Sequence, residues 1–173
     1  MGRDVVIQRV DPAEQPDFPG WVQAHQDETA PTAPPESRHA LDVEDFSRPG
    51  MRLWLARDRS NRIVGSLALA PVAEGHEELK SMRVEPSMRG RGLGGALLET
   101  ALADAAARGI ERVSLETGSM AFFEPARSVY RRAGFTECGP FGAYAEDPLS
   151  VFMTLQLRSA GASPDRQAIA GGG

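Results

Sequence analysis

Residues 77–98 read Glu77-Glu78-Leu79-Lys80-Ser81-Met82-Arg83-Val84-Glu85-Pro86-Ser87-Met88-Arg89-Gly90-Arg91-Gly92-Leu93-Gly94-Gly95-Ala96-Leu97-Leu98. Leu79, Ser81 and Arg83 alternate with Lys80, Met82 and Val84, the period-two pattern of a strand. Pro86 has no N–H to give a ladder and ends it. Two arginines interleaved with glycines follow, and Leu93-Gly94-Gly95-Ala96-Leu97-Leu98 opens a helix. A strand, a glycine-rich turn and a helix start, in that order, make an anion site. The first N–H groups of a helix have no partner within it, and the helix dipole adds partial positive charge there. A phosphate reaches those groups only where no Cβ stands in the way, so glycine is needed. Arg89 and Arg91 add formal charge and forked donors.

Three phosphate-binding patterns compete for this segment. The Walker-type loop requires Lys-Ser/Thr after its last glycine, where Gly95-Ala96 stands, so it fails. Gly90, Gly92 and Gly95 satisfy the dinucleotide spacing G-x-G-x-x-G, and Glu116 lies near its acidic position. In that fold, however, the first glycine follows its strand directly and several strand–helix units come after it. Here Glu85 to Met88 intervene, and too little chain follows. The third pattern, R/Q-x-x-G-x-G/A, is met at every position by Arg89-Gly90-Arg91-Gly92-Leu93-Gly94. With Met82-Arg83-Val84-Glu85-Pro86 before it, the segment resembles the acetyl-CoA signature of the GNAT superfamily of N-acetyltransferases.

Outward from the loop, the elements alternate in a definite order. Strands are expected over 5–10, 51–58, 62–72, 77–84, 112–117, 135–138 and 150–157, and helices over 17–29, 36–46, 93–107 and 122–133. Arg59-Ser60-Asn61 makes a hairpin turn, and Gly109 and Gly134 are helix stops. Three antiparallel strands thus precede the glycine-rich loop, a further mark against a dinucleotide unit. The strand over 112–117 is expected parallel to the one before the loop, with the helix as crossover. The order resembles the whole GNAT fold from Val5 to Leu157. That likeness implies an α/β (α+β) domain with a mixed, mostly antiparallel sheet of six to seven strands. About four helices would flank it, with a V-shaped split between strands 4 and 5. Residues 158–173, rich in Ala, Gly and polar residues, read as a disordered tail.

Composition narrows the class. A chain of 173 residues suffices for one domain and can bury about 70% of its unfolded surface. A formal charge of −5 leaves no basic footprint for nucleic acid. No apolar run approaches the roughly 18 residues of a membrane helix. Met1-Gly2-Arg3-Asp4 opens no signal-peptide core, and Val6 stands where myristoylation would want Ser or Thr. Cys138 is the one cysteine, and His25, His39 and His76 have no metal-ligand spacing, so neither an internal disulfide nor a metal site is expected. The expectation is a cytoplasmic enzyme without metal, nucleic-acid or membrane partner.

The resemblance also implies roles. Met82, Arg83 and Val84 of the strand, with Arg89, Gly90, Arg91, Gly92, Leu93, Gly94 and Gly95 of the loop, would hold acetyl-CoA, the loop amides at its pyrophosphate. The Met82 N–H would face the acetyl oxygen. Tyr130 lies in Ala126-Arg127-Ser128-Val129-Tyr130-Arg131-Arg132-Ala133-Gly134-Phe135, similar to the family's A-x-x-L-Y-x-x-x-G-F, where the tyrosine is the general acid for the departing thiolate. Its other reading is an amphipathic core tyrosine. Glu78 lies four residues before Met82, on the same strand face. It stands where several relatives carry the base, and it also reads as a solvated rim carboxylate. The asparagine often found seven residues before the tyrosine is replaced by Phe123. His39, Glu116, Phe123, Tyr144 and Asp147 are candidate acceptor contacts, and the acidic ones suit a cationic amine. A small-molecule primary amine is the expected acceptor. A protein or peptide amine, or a non-catalytic acetyl-CoA sensor, remain as alternatives. Dimers are common in the family, which leaves a homodimer open.

Overall fold

The computed structural model describes residues 5–32, 34, 39 and 41–157. A seven-stranded mixed sheet runs in the order β1-β2-β3-β4-β5-β7-β6. Its strands are β1 (Val5–Val10), β2 (Arg52–Asp58), β3 (Ile63–Ala73), β4 (His76–Val84), β5 (Arg112–Gly118), β6 (Thr136–Cys138) and β7 (Ser150–Gln156). The helices are α1 (Phe18–Thr29), α2 (Leu93–Ala107) and α3 (Glu124–Arg132). Every strand expected from alternation is present, and β4 and β5 are the one parallel pair among the described residues. The order excludes a doubly wound dinucleotide fold, because β1 to β4 form antiparallel neighbours before the first crossover helix. Among the described residues three α-helices stand where about four were expected. Of the helix expected over 36–46, residues 36–38 and 40 lie outside the described residues, and the part at its end is a 3-10 turn, Val43–Ser47. There the Asp45 carboxylate accepts the Asp42 N–H at 2.8 Å, and Pro49 follows within two residues of the turn's end. The tail read from composition, 158–173, also lies outside the described residues.

Alternation along β2 shows how the sheet is filled. Trp54 and Ala56 join one core, with Leu67, Leu79, Leu97, Leu98, Leu115, Tyr130 and Phe135. Leu53 and Leu55 join the other, beneath Phe18, Trp21 and Val22 of α1. Both faces are covered, so β2 is apolar along most of its length. Among the described residues no helix is long and apolar enough to cross a membrane.

Two irregularities place the site. First, β4 and β5 pair only from His76↔Arg112 to Leu79↔Leu115. Beyond that, β4 stays with β3 as far as Val84 and β5 stays with β7 as far as Gly118, so the strands part in a V. Second, β4 carries a bulge: Ser66 pairs with Arg83 and Ala68 with Lys80, leaving Ser81 and Met82 opposite Leu67. Ser81 takes φ +55°, a left-handed value uncommon outside glycine. A hydrogen-bond chain holds it there. Trp21 Nε1 donates to Ser66 Oγ at 2.8 Å, and Ser66 Oγ donates to the Ser81 carbonyl at 3.1 Å.

Candidate active site

The bulge resets which side chains share a face. Before it, Glu77 turns toward α2, where Arg108 grips its carboxylate through two N–H groups at 2.6 and 2.7 Å. Glu78 and Lys80 turn the other way, to Tyr144. After it, Met82 and Val84 turn toward α2, close enough that a Cβ on Gly94 would meet Met82 Cε at 3.0 Å and Val84 Cγ2 at 3.7 Å. The expectation that Glu78 and Met82 share a face is therefore corrected. It assumed an unbroken strand, and the extra residue at Ser81 inverts the parity.

On the α2 side lies a groove of about 1030 Å³, lined by Met82, Val84, the loop glycines Gly90, Gly92, Gly94 and Gly95, Leu93, and Phe123, Ala126 and Val129. Gly92, the N-cap of α2, has φ +80°, and Gly90 has φ +74°. A Cβ at Gly90, Gly92 or Gly95 would meet nothing within 4 Å, so the approach to the helix end is open. The exposed helix N–H groups, the absent Cβ atoms and the unpaired β4 edge beyond Leu79 fit a long coenzyme with a diphosphate at one end and a thioester at the other.

The two loop arginines are not equivalent. Arg89 donates through Nε to the Val84 carbonyl at 3.1 Å and through Nη2 to Glu28. Arg91 is exposed, and its one hydrogen bond among the described residues goes to Met88 Sδ at 3.9 Å. Arg83, expected with them at the coenzyme, carries its guanidinium 4.1 Å over the Trp21 ring, with Nε 3.2 Å from Glu28 Oε2. The same change of parity turns it toward α1, where it still lines the groove. Burial pushes the Glu28 carboxyl up, and the hydrogen bonds from Arg89 and Arg83 more than offset this and leave it below its ordinary value.

Where β4 and β5 part, a smaller cavity of about 140 Å³ opens. It meets the groove at His25, Thr29, Met82, Phe123 and Ala126, which line both. Glu78, Lys80, Glu116, Tyr130, Tyr144 and His39 also line the cavity, so with Met82 and Phe123 seven of the expected site residues converge there, together with Lys80, which was not expected. Tyr144 donates to Glu78 Oε1 at 2.5 Å, and Lys80 Nζ donates to the same oxygen at 3.1 Å and to Tyr144 Oη at 2.9 Å. His39 packs edge-on to Tyr144, centroids 5.0 Å apart. Burial, and then the Glu78 charge, push the Tyr144 phenol well above its usual value, so it stays a donor. Asp147 lines a further hollow on the far side of Tyr144, about 640 Å³ in volume, rather than the cavity.

Glu116 sits just past the last residue of β5 that pairs with β4 and accepts from Ser150 Oγ at 2.7 Å. Burial raises its carboxyl above the ordinary 4.5, outweighing that hydrogen bond. Tyr130 is 5% exposed. Among the described residues no group hydrogen-bonds its hydroxyl, and burial with the nearby Glu116 charge raises it well above the usual phenol. Phe123 fills the place of the expected asparagine, its ring so close to Gly118 that a Cβ there would lie 2.2 Å away. His25 was assigned no role at the site from the sequence. It lies at the junction of the two spaces, and burial and then Arg83 lower it to about 4, so it is neutral near pH 7.

Known proteins agree with this geometry. The family model for the GNAT acetyltransferases matches residues 12–135. An N-acetyltransferase of Bacillus subtilis, YsnE, is 43% identical over 136 residues, 79% of this chain and 89% of its own. The IAA acetyltransferase of Azospirillum brasilense is 43% identical over 126 residues, 72% of this chain and 80% of its own. The solved structure of a GNAT-family acetyltransferase from Staphylococcus aureus shares the fold at TM-score 0.68 and 20% identity, over 89% of this chain and 99% of that one. A glycine-rich helix start beside a strand that parts from its parallel neighbour is thus the frame of an N-acetyltransferase, and this chain belongs to the GNAT acetyltransferase family.

Proposed function

We propose that the protein acetylates the primary amine of a small molecule by direct attack within a ternary complex. Acetyl-CoA is the second substrate and supplies the thioester acetyl group. The observation that carries the reading is the small charged cavity that meets the groove at Met82. Two substrates can be bound at once and touch there, without a covalent enzyme intermediate.

Each chain group has a task. The N–H groups at the start of α2 hold the pyrophosphate, and the open edge of β4 aligns the arm that follows it. The Met82 N–H polarises the acetyl carbonyl. The amine arrives protonated and must lose a proton before attack. Glu78, the base expected from the motif, is already engaged by Tyr144 and Lys80. Glu116, on the facing strand and with its proton affinity raised, takes the proton instead. Tyr130, unengaged and held neutral by its surroundings, protonates the sulfur as the C–S bond breaks and the C–N bond forms.

A cavity of about 140 Å³ is small against the roughly 300–1,000 Å³ of pockets for drug-sized ligands, which favours a small acceptor over a folded protein. The test is a steady-state panel of free amines and of peptides with varied N-termini, assayed with acetyl-CoA. Free amines are expected to turn over with intersecting double-reciprocal plots. Better turnover of peptides would move the acceptor to a polypeptide. Coenzyme binding with no turnover of either would leave a sensor.

A further inference from the structure

Lys80 is the residue of the cavity that the acetyl-transfer reading leaves without a task. Its side chain is 15% exposed, and its ammonium points into a space meant to receive another ammonium. A cation there is costly in two ways. It must be stripped of water, and it repels a charged amine. Glu78 and Tyr144 offset the first cost. They do not remove the second.

The hydrogen-bond inventory shows what is left over. An ammonium has three N–H donors. Lys80 uses one on Glu78 and one on Tyr144 Oη, and among the described residues no acceptor meets the third. Tyr144 is itself fixed as a donor to Glu78, so the Glu78–Tyr144 pair sets the direction of the ammonium. Across the V, Glu116 presents a carboxyl on β5. The cavity therefore offers a cation on one strand and a carboxyl on the other, the mirror of a molecule with a carboxylate near an amine.

We propose that Lys80 binds a carboxylate of the acceptor, and that the acceptor class is small amino carboxylic acids rather than plain amines. The proposal rests on the acetyltransferase reading above and adds to it the second functional group of the substrate. Lys80 acts as a specificity-determining residue: it holds the carboxylate while the amine faces Glu116. A hydrogen bond between charged partners contributes about 1.5–3 kcal/mol, which corresponds to at least tenfold in kcat/KM.

The experiment compares matched pairs with and without the carboxylate: leucine with isoamylamine, phenylalanine with phenethylamine, β-alanine with ethylamine. Wild-type enzyme is expected to prefer the amino acid by about tenfold or more, mainly through KM, and to lose that preference toward the methyl esters. In Lys80→Gln the ratio should fall toward one, and Lys80→Arg should restore part of it. Calorimetry with acetyl-CoA and a melting curve show whether each variant is folded, and the ester series reads the same contact on unaltered protein. Equal or better turnover of the plain amines by wild type overturns the proposal, as does an unchanged ratio in folded Lys80→Gln. If neither class is acetylated while acetyl-CoA still binds, the acceptor reading itself has failed and Lys80 loses its role with it.

Discussion

The groove beside α2 and the cavity beneath Tyr144 meet at Met82, yet they are built from different material. The groove is a main-chain site: helix N–H groups, glycines at positive φ and a strand edge left open by the V. The cavity is a side-chain site, where Glu78, Lys80 and Tyr144 bond to one another and Glu116 faces them from the next strand. A backbone site tolerates changes in side chain so long as none intrudes, and it binds one ligand shared by a whole family. A side-chain site changes with each substitution, so its ligand can differ between relatives that keep the same frame.

That contrast is broken most directly at Gly92. The residue needs φ +80° at the leading end of α2, and its missing Cβ leaves the helix N–H groups open. A left-handed conformation costs an ordinary residue about 1–2 kcal/mol, and a β-branched one more. Gly92→Val should weaken acetyl-CoA by about a hundredfold, the loss of two charge-assisted bonds. Calorimetry measures it. Retained affinity would mean that the diphosphate is held by side chains such as Arg91 instead.

Tyr130 lines the cavity one helical turn beyond Ala126, which both sites share, and its replacement should separate binding from chemistry. Tyr130→Phe removes one hydroxyl that is bonded to no described residue, so packing should survive. General acid catalysis supplies roughly 10²–10⁴-fold. A fall of at least about tenfold in kcat, with acetyl-CoA affinity kept, is the expected outcome in steady-state and calorimetric runs. Unchanged turnover would return the proton delivery to water.

How much of this was legible beforehand follows the same division. The loop could be read because its physics is local: an anion site needs glycines and a helix start in consecutive residues, and Arg89 to Gly95 supply them. The strands could be read because alternation is local as well. The bulge could not, since Lys80-Ser81-Met82 contains no glycine and the left-handed Ser81 is held by Trp21 and Ser66 from elsewhere in the chain. That single extra residue is why Glu78 was placed with Met82. Tyr144 and Glu116 were legible as candidates only through the family likeness. Lys80 was missed because its meaning comes from partners on another segment, Tyr144 being 64 positions away. Nothing in the local pattern distinguishes a lysine that faces water from one that closes a cavity.

The smallest expected effect tests the side-chain half most sharply. Glu116 is a carboxyl whose value in the folded protein lies above the ordinary 4.5, because burial disfavours its charge more than Ser150 favours it. The acid form is therefore the one the fold prefers. Whatever stability Glu116 lends is fully present below the unfolded value and is lost as pH rises through the folded one. Glu116→Gln keeps the shape and can still accept from Ser150 but never ionises. Its melting temperature should match wild type near pH 4.5 and exceed it by a few degrees at neutral pH, while acetyl transfer falls. Scanning calorimetry across that range gives the first quantity and a turnover assay the second. The two belong together, since a carboxyl strained toward its neutral form is what draws a proton from the amine. A variant no more stable at neutral pH than at pH 4.5, relative to wild type, would show Glu116 ionising without cost, and the proton would need another acceptor.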